Sequence, residues 1–249
     1  NNTHIVNAHW MTSGVDLENK NAQLFLDLQT EIPFNQLDKS RGIVTLKRKG
    51  KEVYKTDFEI VKHAFRVIIN LDNVDFWWPR GYGEPALYDA EGRLVSETGE
   101  ILSKYSSRIG IRTIELDLND INLLLDDPGT FVFVVKLKRL FVKGTNWVPI
   151  GALHSRDASL LEDAVNLMVE MNCNMVRCWG GNLYEDSRFF ELCDENGIMV
   201  WQDCAMGCTF YPQRQDFADA IEKEAISVVR KFRNHPSLVL WSGNNEDDI

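Results

Sequence analysis

The residues best suited to chemistry lie in four short segments in the second half of the chain. Each segment combines a tryptophan with polar or charged side chains, at residues 146–147, 177–181, 201–203 and 241–246. Aromatic rings beside hydrogen-bonding groups suit a sugar, which offers C–H faces for stacking and hydroxyl groups around its edge. The four segments therefore predict a carbohydrate site.

Glu246, directly after Asn245, is the side chain in these segments best suited to acid–base chemistry. Hydrolysis of a glycosidic bond uses two carboxyl groups, one of which protonates the departing oxygen. Asn245 would then bind a hydroxyl next to the reacting carbon. The alternative is that Glu246 only opens an acidic loop with Asp247 and Asp248. From the residues alone both interpretations stay open.

The elements that would position these groups alternate between strands and helices from residue 131 onward. Such apolar strands are typical of a parallel sheet covered by helices on both faces. About four strands and three helices, over residues 131–249, predict either a small open sheet or the first half of a (β/α)8 TIM barrel. In such a barrel, catalytic groups follow the strand ends. Strands are predicted at 131–135, 141–148, 174–179, 198–203 and 238–241. Helices are predicted from a capping box at Ser159–Glu162, at 185–196 closed by Gly197, and at 216–232.

The first half has the pattern of short strands with turns between them. Alternating apolar residues predict strands at 23–32, 42–47, 52–60, 63–70 and 109–118. Turns are expected at Lys49-Gly50 and at residues 89–92. This spacing is typical of an antiparallel sandwich, which we place at residues 3–120 with no helix.

The chain reaches residue 249 directly after a predicted barrel strand, and a complete barrel needs about 250 residues by itself. We therefore expect a truncated barrel. Such a half barrel exposes an edge strand and apolar surface, so we also expect the chain to self-associate.

Composition excludes some classes of partner. The net charge is −10, which argues against nucleic acid, because its backbone requires a basic protein surface. No apolar run approaches the ~18 residues that a membrane span needs. Cys204 and Cys208 have the spacing of a loose metal pair, but no second pair follows, so buried reduced thiols are the favoured interpretation for all five cysteines.

Several motifs in the second half resemble the β-mannosidases of glycoside hydrolase family 2. The segment Trp241-Ser-Gly-Asn-Asn-Glu246 looks like their acid/base motif. The segments 175–181, 184–185, 197–203 and 141–149 are similar to the first three barrel strands of that family. Upstream, residues 77–83, 87–88 and 109–113 are similar to its immunoglobulin-like domain.

This resemblance implies a retaining exo-β-glycosidase that hydrolyses terminal β-mannosides without a metal or other cofactor. It implies Glu246 as the general acid/base, Asn245 as the contact to the sugar 2-hydroxyl, and Arg177, Trp179 and Asp203 as the lining of the sugar subsite. The family's nucleophile, a glutamate on a later barrel strand, lies outside this chain, so the chain alone is expected to be inactive. A periplasmic, secreted or lysosomal location follows from the family, with a cytoplasmic one left open.

The sequence departs from the family pattern at Gly151, at Asn182 and over residues 204–210. These positions are expected near the sugar, so a β-galactoside, β-glucuronide or β-glucosaminide is an alternative substrate. A further alternative is a non-catalytic carbohydrate-binding or interaction module.

Overall fold

The structure, a computed structural model, describes residues 3–119, 129–151 and 153–246. Contacts between residues divide the chain into two compact units. The sheet unit consists of Asn1–Phe76, Ala86–Ile111 and Arg233–His235. The barrel unit consists of Trp77–Pro85, Arg112–Phe232 and Pro236–Ile249. The domain limits expected from the sequence, 3–120 and 131–249, stay a prediction.

Antiparallel strands build the described part of the sheet unit. They are β1 (His4–Asp16), β2 (Asn21–Glu31), β3 (Ser40–Arg48), β4 (Lys51–Glu59), β5 (Ala64–Leu71), β6 (Tyr88–Ser96) and β7 (Ile101–Ile109). One sheet has the order β1-β2-β5 and the other has the order β4-β3-β6-β7. Every second residue of β2, from Ala22 to Leu28, is buried, as in a sheet with one face in a core. The predicted immunoglobulin-like sandwich is confirmed.

Of the two turns predicted in the sheet unit, one is confirmed and one is wrong. The hairpin at Lys49-Gly50 is confirmed, and both residues have positive φ, +49° and +77°. The turn expected at residues 89–92 is wrong, because this segment lies inside β6 and pairs with β3. The chain turns later, at Gly99, where φ is +83°.

The segment 109–118, predicted as one strand, is divided between the two units. β7 ends at Ile109, and a separate strand, β8 (Ile114–Asn119), begins after an irregular stretch. β8 pairs with β9 (Thr130–Val135), which also pairs with β10 (Lys138–Arg139), and both pairings are antiparallel. The strand predicted at 131–135 therefore exists but does not belong to the parallel sheet. A 3-10 helix at Phe34–Lys39 was also not predicted.

The core of the barrel unit is a parallel sheet with helices between its strands. Its strands are β11 (Gly144–Trp147), β12 (Met175–Cys178), β13 (Met199–Asp203) and β14 (Leu238–Ser242), in that order across the sheet. The helices are α1 (Asp157–Glu170), α2 (Ser187–Asn196) and α3 (Gln215–Phe232). This alternation in the described residues confirms part of a (β/α)8 barrel. No helix in that part of the chain is both long and apolar enough to cross a membrane.

Apolar side chains on one face of the sheet pack under the helices. Val176 of β12 and Val200 of β13 are fully buried, as is Phe189 of α2. Phe190 stacks on Phe232 of α3 with ring centroids 4.3 Å apart. Burial of such rings and branched side chains stabilises each element by about 1.5–3 kcal/mol per residue, so this packing holds the strand ends in place.

The sequence signals for the helix ends are confirmed at one helix and wrong at another. Gly197 ends α2 in the left-handed conformation with φ of +68°, as predicted. The capping box at Ser159 is wrong, because α1 already begins at Asp157 and no side chain caps it. The hydroxyl of Ser159 instead donates to the carbonyl of Arg156 at 2.7 Å.

Candidate active site

The carboxyl ends of the four parallel strands lie at one edge of the sheet. Pairing aligns Trp147 with Cys178, Cys178 with Gln202, and Asp203 with Ser242. The loops after these residues therefore emerge side by side, and they carry the groups that the sequence singled out.

Arg177 connects two of these loops through a network of hydrogen bonds. Its neighbours Val176 and Cys178 face the core under the helices, so the guanidinium points to the opposite face of the sheet. Its Nε and Nη2 donate to Oδ1 and Oδ2 of Asp203 at 3.2 and 2.6 Å. The same Nη2 donates to Oδ1 of Asn245 at 2.8 Å.

Asp203 is the buried anchor of this network. Its side chain has no exposure to solvent, whereas that of Arg177 is 28% exposed. A third donor, the backbone N–H of Gly180, reaches Oδ2 at 3.1 Å. A buried carboxylate requires such compensation, so Arg177, Asp203 and the loop after β12 depend on one another.

The loop after β13 holds Asn245 by its backbone. The N–H of Asn245 donates to the carbonyl of Met206 at 3.0 Å, and the N–H of Cys208 donates to the carbonyl of Asn245 at 2.8 Å. These bonds accompany a parallel bridge between Gly207 and Asn245. The residue that follows, Glu246, has a φ of +58°, which is uncommon outside glycine.

Glu246 lies exposed at the end of this arrangement. Its Oε2 accepts a hydrogen bond from the thiol of Cys208 at 3.5 Å. Exposure at the strand edge leaves the carboxyl group accessible to a ligand, which is what proton transfer to a substrate requires.

Trp179 lies in the same group of loops but outside the network of hydrogen bonds just described. Its side chain is partly buried, and its backbone N–H donates to the carbonyl of Trp147 at 3.1 Å. The indole lies across Gly181, since a Cβ on that glycine would be 2.1 Å from the ring. The structure thus brings Arg177, Asp203, Asn245 and Glu246 into one connected group and places Trp179 at its side.

Comparison with known proteins identifies the family. The model of the TIM barrel domain of glycosyl hydrolases family 2 matches residues 130–248, and a second model of glycosyl hydrolases family 2 matches residues 3–112. The chain belongs to glycosyl hydrolase family 2. The resemblance inferred from the motifs is thereby confirmed.

Several relatives of the chain are β-mannosidases by name. The chain is 39% identical to a β-mannosidase of Capra hircus over 192 residues, which is 75% of this chain and 21% of the relative. It is 35% identical to β-mannosidase B of Aspergillus terreus over 240 residues, covering 96% and 27%. The crystal structure of the β-D-mannosidase of Dictyoglomus thermophilum matches with 34% identity and a TM-score of 0.83, covering 98% of this chain and 30% of that one. The chain thus spans about a quarter of the length of its relatives.

Two of the strand-end tryptophans lie on the face of the sheet that packs under the helices, opposite to the face of Arg177. Trp147 is 6% exposed and packs against Phe189, with ring centroids 5.0 Å apart. Trp241 packs against the same core under the helices. Their expected role as sugar platforms is therefore wrong.

Trp201, in contrast, lies on the same face of the sheet as Arg177. Its ring stacks on Phe131 at a centroid distance of 5.6 Å, and the guanidinium of Arg177 lies 5.5 Å from its centre. These residues help to line a cavity of about 420 Å³. Trp201 is the strand-end tryptophan that borders open space beside the network.

Glu185 is a residue of the site region whose role the sequence left unassigned. Its Oε1 accepts hydrogen bonds from Nε1 of Trp147 at 2.8 Å and from Nδ2 of Asn182 at 3.2 Å. Burial raises the pKa of Glu185, although both hydrogen bonds oppose the shift. The sequence signal that could have identified Glu185 is its place in the Tyr184-Glu185 segment, which carries part of the family resemblance.

The cysteines divide into two groups. Cys173, Cys178 and Cys193 are buried free thiols, as expected, and burial raises the pKa of Cys178 and Cys193. Cys208 is exposed and Cys204 is partly exposed, so the expectation that these two thiols are buried is wrong. In the described part of the chain, no three His, Cys, Asp or Glu side chains come together as metal ligands would.

Proposed function

We propose that this chain carries the acid/base half of the active site of a retaining exo-β-glycosidase that hydrolyses terminal β-mannosides. One observation carries the proposal: Glu246 is exposed at the strand edge directly beside Asn245, whose amide is held by the Arg177–Asp203 pair. The proposal concerns the full-length protein that contains this sequence.

In the proposed reaction, Glu246 protonates the glycosidic oxygen as the bond to the sugar breaks. Later it accepts a proton from the water that completes hydrolysis. Asn245 binds the neighbouring sugar hydroxyl. Its Oδ1 retains a second lone pair beyond the bond from Arg177, and its Nδ2 has two N–H groups, so both atoms can serve a hydroxyl.

Retention of configuration at the reacting carbon requires a second carboxylate, about 5–5.5 Å from the first, that attacks the sugar. Asp203 is unsuited to this role, because its buried oxygens already accept three hydrogen bonds from Arg177 and Gly180. By resemblance to family 2, the proposal assigns the nucleophile to a glutamate of the full-length protein outside positions 1–249. We expect the 249-residue chain by itself to turn over no glycoside.

The β-mannoside is supported by the names of the relatives, three of which are β-mannosidases at 34–39% identity. The departures from the family pattern at Gly151, Asn182 and 204–210 concern which sugar the site accepts. They do not concern the type of reaction. Asn182 contacts Glu185, and the 204–210 loop contacts Asn245 and Glu246. A galactoside, glucuronide or glucosaminide would leave the assignment of Glu246 unchanged.

The test compares the full-length protein with its Glu246→Gln variant on a panel of nitrophenyl β-glycosides and alkyl β-glycosides. We expect the β-mannoside to be preferred. The variant should lose about 10²–10⁴-fold in kcat/KM on alkyl glycosides and much less on nitrophenyl glycosides, which need little protonation.

Glu162→Gln is the matched control, since Glu162 is an exposed helical carboxylate 64% accessible to solvent. An equal loss on both classes of glycoside would remove the acid/base role of Glu246. Absence of hydrolysis on every sugar would instead favour a carbohydrate-binding or interaction module.

A further inference from the structure

Cys208 occupies the space between the two residues to which the proposed function assigns the chemistry. Its sulfur lies 3.4 Å from Nδ2 of Asn245 and 3.5 Å from Oε2 of Glu246. The thiol is exposed, so no apolar core accounts for its position. The side-chain interactions that define the position of the Cys208 thiol are therefore its contacts with Asn245 and Glu246.

The direction of each hydrogen bond follows from Arg177. A guanidinium only donates, so the oxygen of the Asn245 amide must face Arg177, as the 2.8 Å contact shows. The amide nitrogen then faces Cys208 and donates to its sulfur. With the sulfur acting as acceptor on that side, the S–H proton is free to point at the carboxylate of Glu246.

The result is a continuous chain of hydrogen bonds from a buried carboxylate to an exposed one. It runs from Asp203 through Arg177, Asn245 and Cys208 to Glu246. Only the first member is fully buried, and it anchors the others because its oxygens are fixed by the fold.

The backbone fixes the thiol relative to Asn245. Cys208 has a φ of +58°, and its N–H donates to the carbonyl of Asn245 at 2.8 Å. The preceding residue, Gly207, packs closely on the loop after β12, since a Cβ there would lie 3.0 Å from the backbone nitrogen of Gly181. A non-glycine residue held at positive φ beside a candidate active site is the kind of strain that functional positions retain.

We infer that Cys208 is a positioning residue that orients the carboxyl group of Glu246 through its thiol. This inference rests on the proposed acid/base role of Glu246. A glutamate side chain at the surface samples several rotamers, and one directional bond to Oε2 favours the rotamer seen here. A thiol is a weak donor, so its effect on the rate is modest.

The test uses the full-length protein with Cys208→Ala and Cys208→Ser, assayed on the same alkyl and nitrophenyl glycosides as Glu246→Gln. We expect Cys208→Ala to lower kcat/KM on alkyl glycosides by about two- to fivefold, as for the loss of one weak hydrogen bond, and on nitrophenyl glycosides much less. Cys208→Ser, whose hydroxyl also accepts and donates, should restore much of the loss.

Thr98→Ala is the control, because Thr98 is an exposed hydrogen-bonding residue of the sheet unit whose hydroxyl bonds to that of Ser96. It should leave both rates unchanged. Melting temperatures of all variants check folding, which we expect to be intact because Cys208 is exposed.

The outcomes separate this inference from the function on which it rests. If Glu246→Gln is slowed selectively on alkyl glycosides and Cys208→Ala behaves like the wild type, the inference is overturned and the proposed function stands. An equal loss on both glycoside classes in Cys208→Ala, without rescue by serine, would mean a merely structural role. If the wild type hydrolyses no glycoside, both are overturned.

Discussion

Arg177 and Asp203 form a two-point ion pair in which the carboxylate is fully buried and the guanidinium is partly exposed. The pair joins β12 to the end of β13, and the guanidinium extends the connection to Asn245 after β14. Three neighbouring strand ends of the barrel unit are thus tied by one side chain, and the position of the candidate acid/base depends on it.

Replacing Arg177 by methionine should destabilise the protein strongly, because Asp203 would remain buried without its ionic partner. We expect a loss of about 3–5 kcal/mol in the free energy of unfolding, measured by denaturant titration. The double variant Arg177→Met/Asp203→Asn should lose less than the sum of the single losses, because it leaves no unpaired buried charge.

Arg188→Met provides the control for that experiment. Arg188 pairs with Glu162 at 2.9 Å, but both side chains are largely exposed, at 45% and 64%. Such a pair contributes about 0–1 kcal/mol. If the Arg177 and Arg188 variants lost the same amount, the Arg177–Asp203 pair would have no special structural role.

Gly180→Ala should disturb the site without replacing a charged group. A Cβ on Gly180 would lie 2.4 Å from the carbonyl oxygen of Met206 and 2.8 Å from that of Cys204, so one loop must move. We expect a loss of about 1–3 kcal/mol in stability, with lower kcat/KM on all glycosides. Gly243→Ala, with nothing within 4 Å of the added Cβ, should change stability by less than about 0.5 kcal/mol. Equal stability of the two variants would contradict the close packing of these loops.

Much of the fold and the general location of the site could be predicted from the sequence, because parallel strands place all their carboxyl ends at one edge. The residues after β12, β13 and β14 therefore converge whatever the details of the loops. The link from Arg177 to Asn245 could not be predicted. This link depends on the loop conformations at Cys208 and Glu246, where φ is +58° in each case. No local sequence pattern predicts these positive φ values.

The tryptophans show a second limit of prediction from sequence. Which face of a strand a residue occupies depends on the pleat, and a shift by one position reverses it. Trp147 pairs with Cys178 and Trp241 pairs with Gln202, so both share the face that packs under the helices. Trp201 pairs with Arg177 and lies on the other face. A strand-end tryptophan alone does not reveal this difference.

Glu185→Gln should change how stability depends on pH. Burial raises the pKa of Glu185 above its ordinary value of 4.5, so the folded state retains a proton that the unfolded state has lost. The stability of the wild type therefore falls as pH rises from about 4.5 through the folded-state pKa, relative to the variant. Glutamine keeps the acceptor for Trp147 and Asn182 and does not titrate. In denaturant titrations from pH 4.5 to 7.5, the free energy of unfolding of the variant should rise relative to that of the wild type. A difference between the two proteins that does not change with pH would contradict this prediction.

Lys136→Met should show the opposite pH dependence. Lys136 is fully buried, donates to the carbonyl of Trp77 at 2.9 Å and lies over the ring of Trp78. Burial, helped by the nearby Lys138 and Arg112, lowers its pKa from 10.5 to about 6. Between these values the unfolded state binds the extra proton, so the stability of the wild type rises with pH relative to the variant. Unfolding midpoints at pH 6.5 and 9.5 measure this. If the difference between the two proteins stays the same at both pH values, Lys136 keeps its proton in the folded state, with Trp77 and Trp78 stabilising the ammonium group.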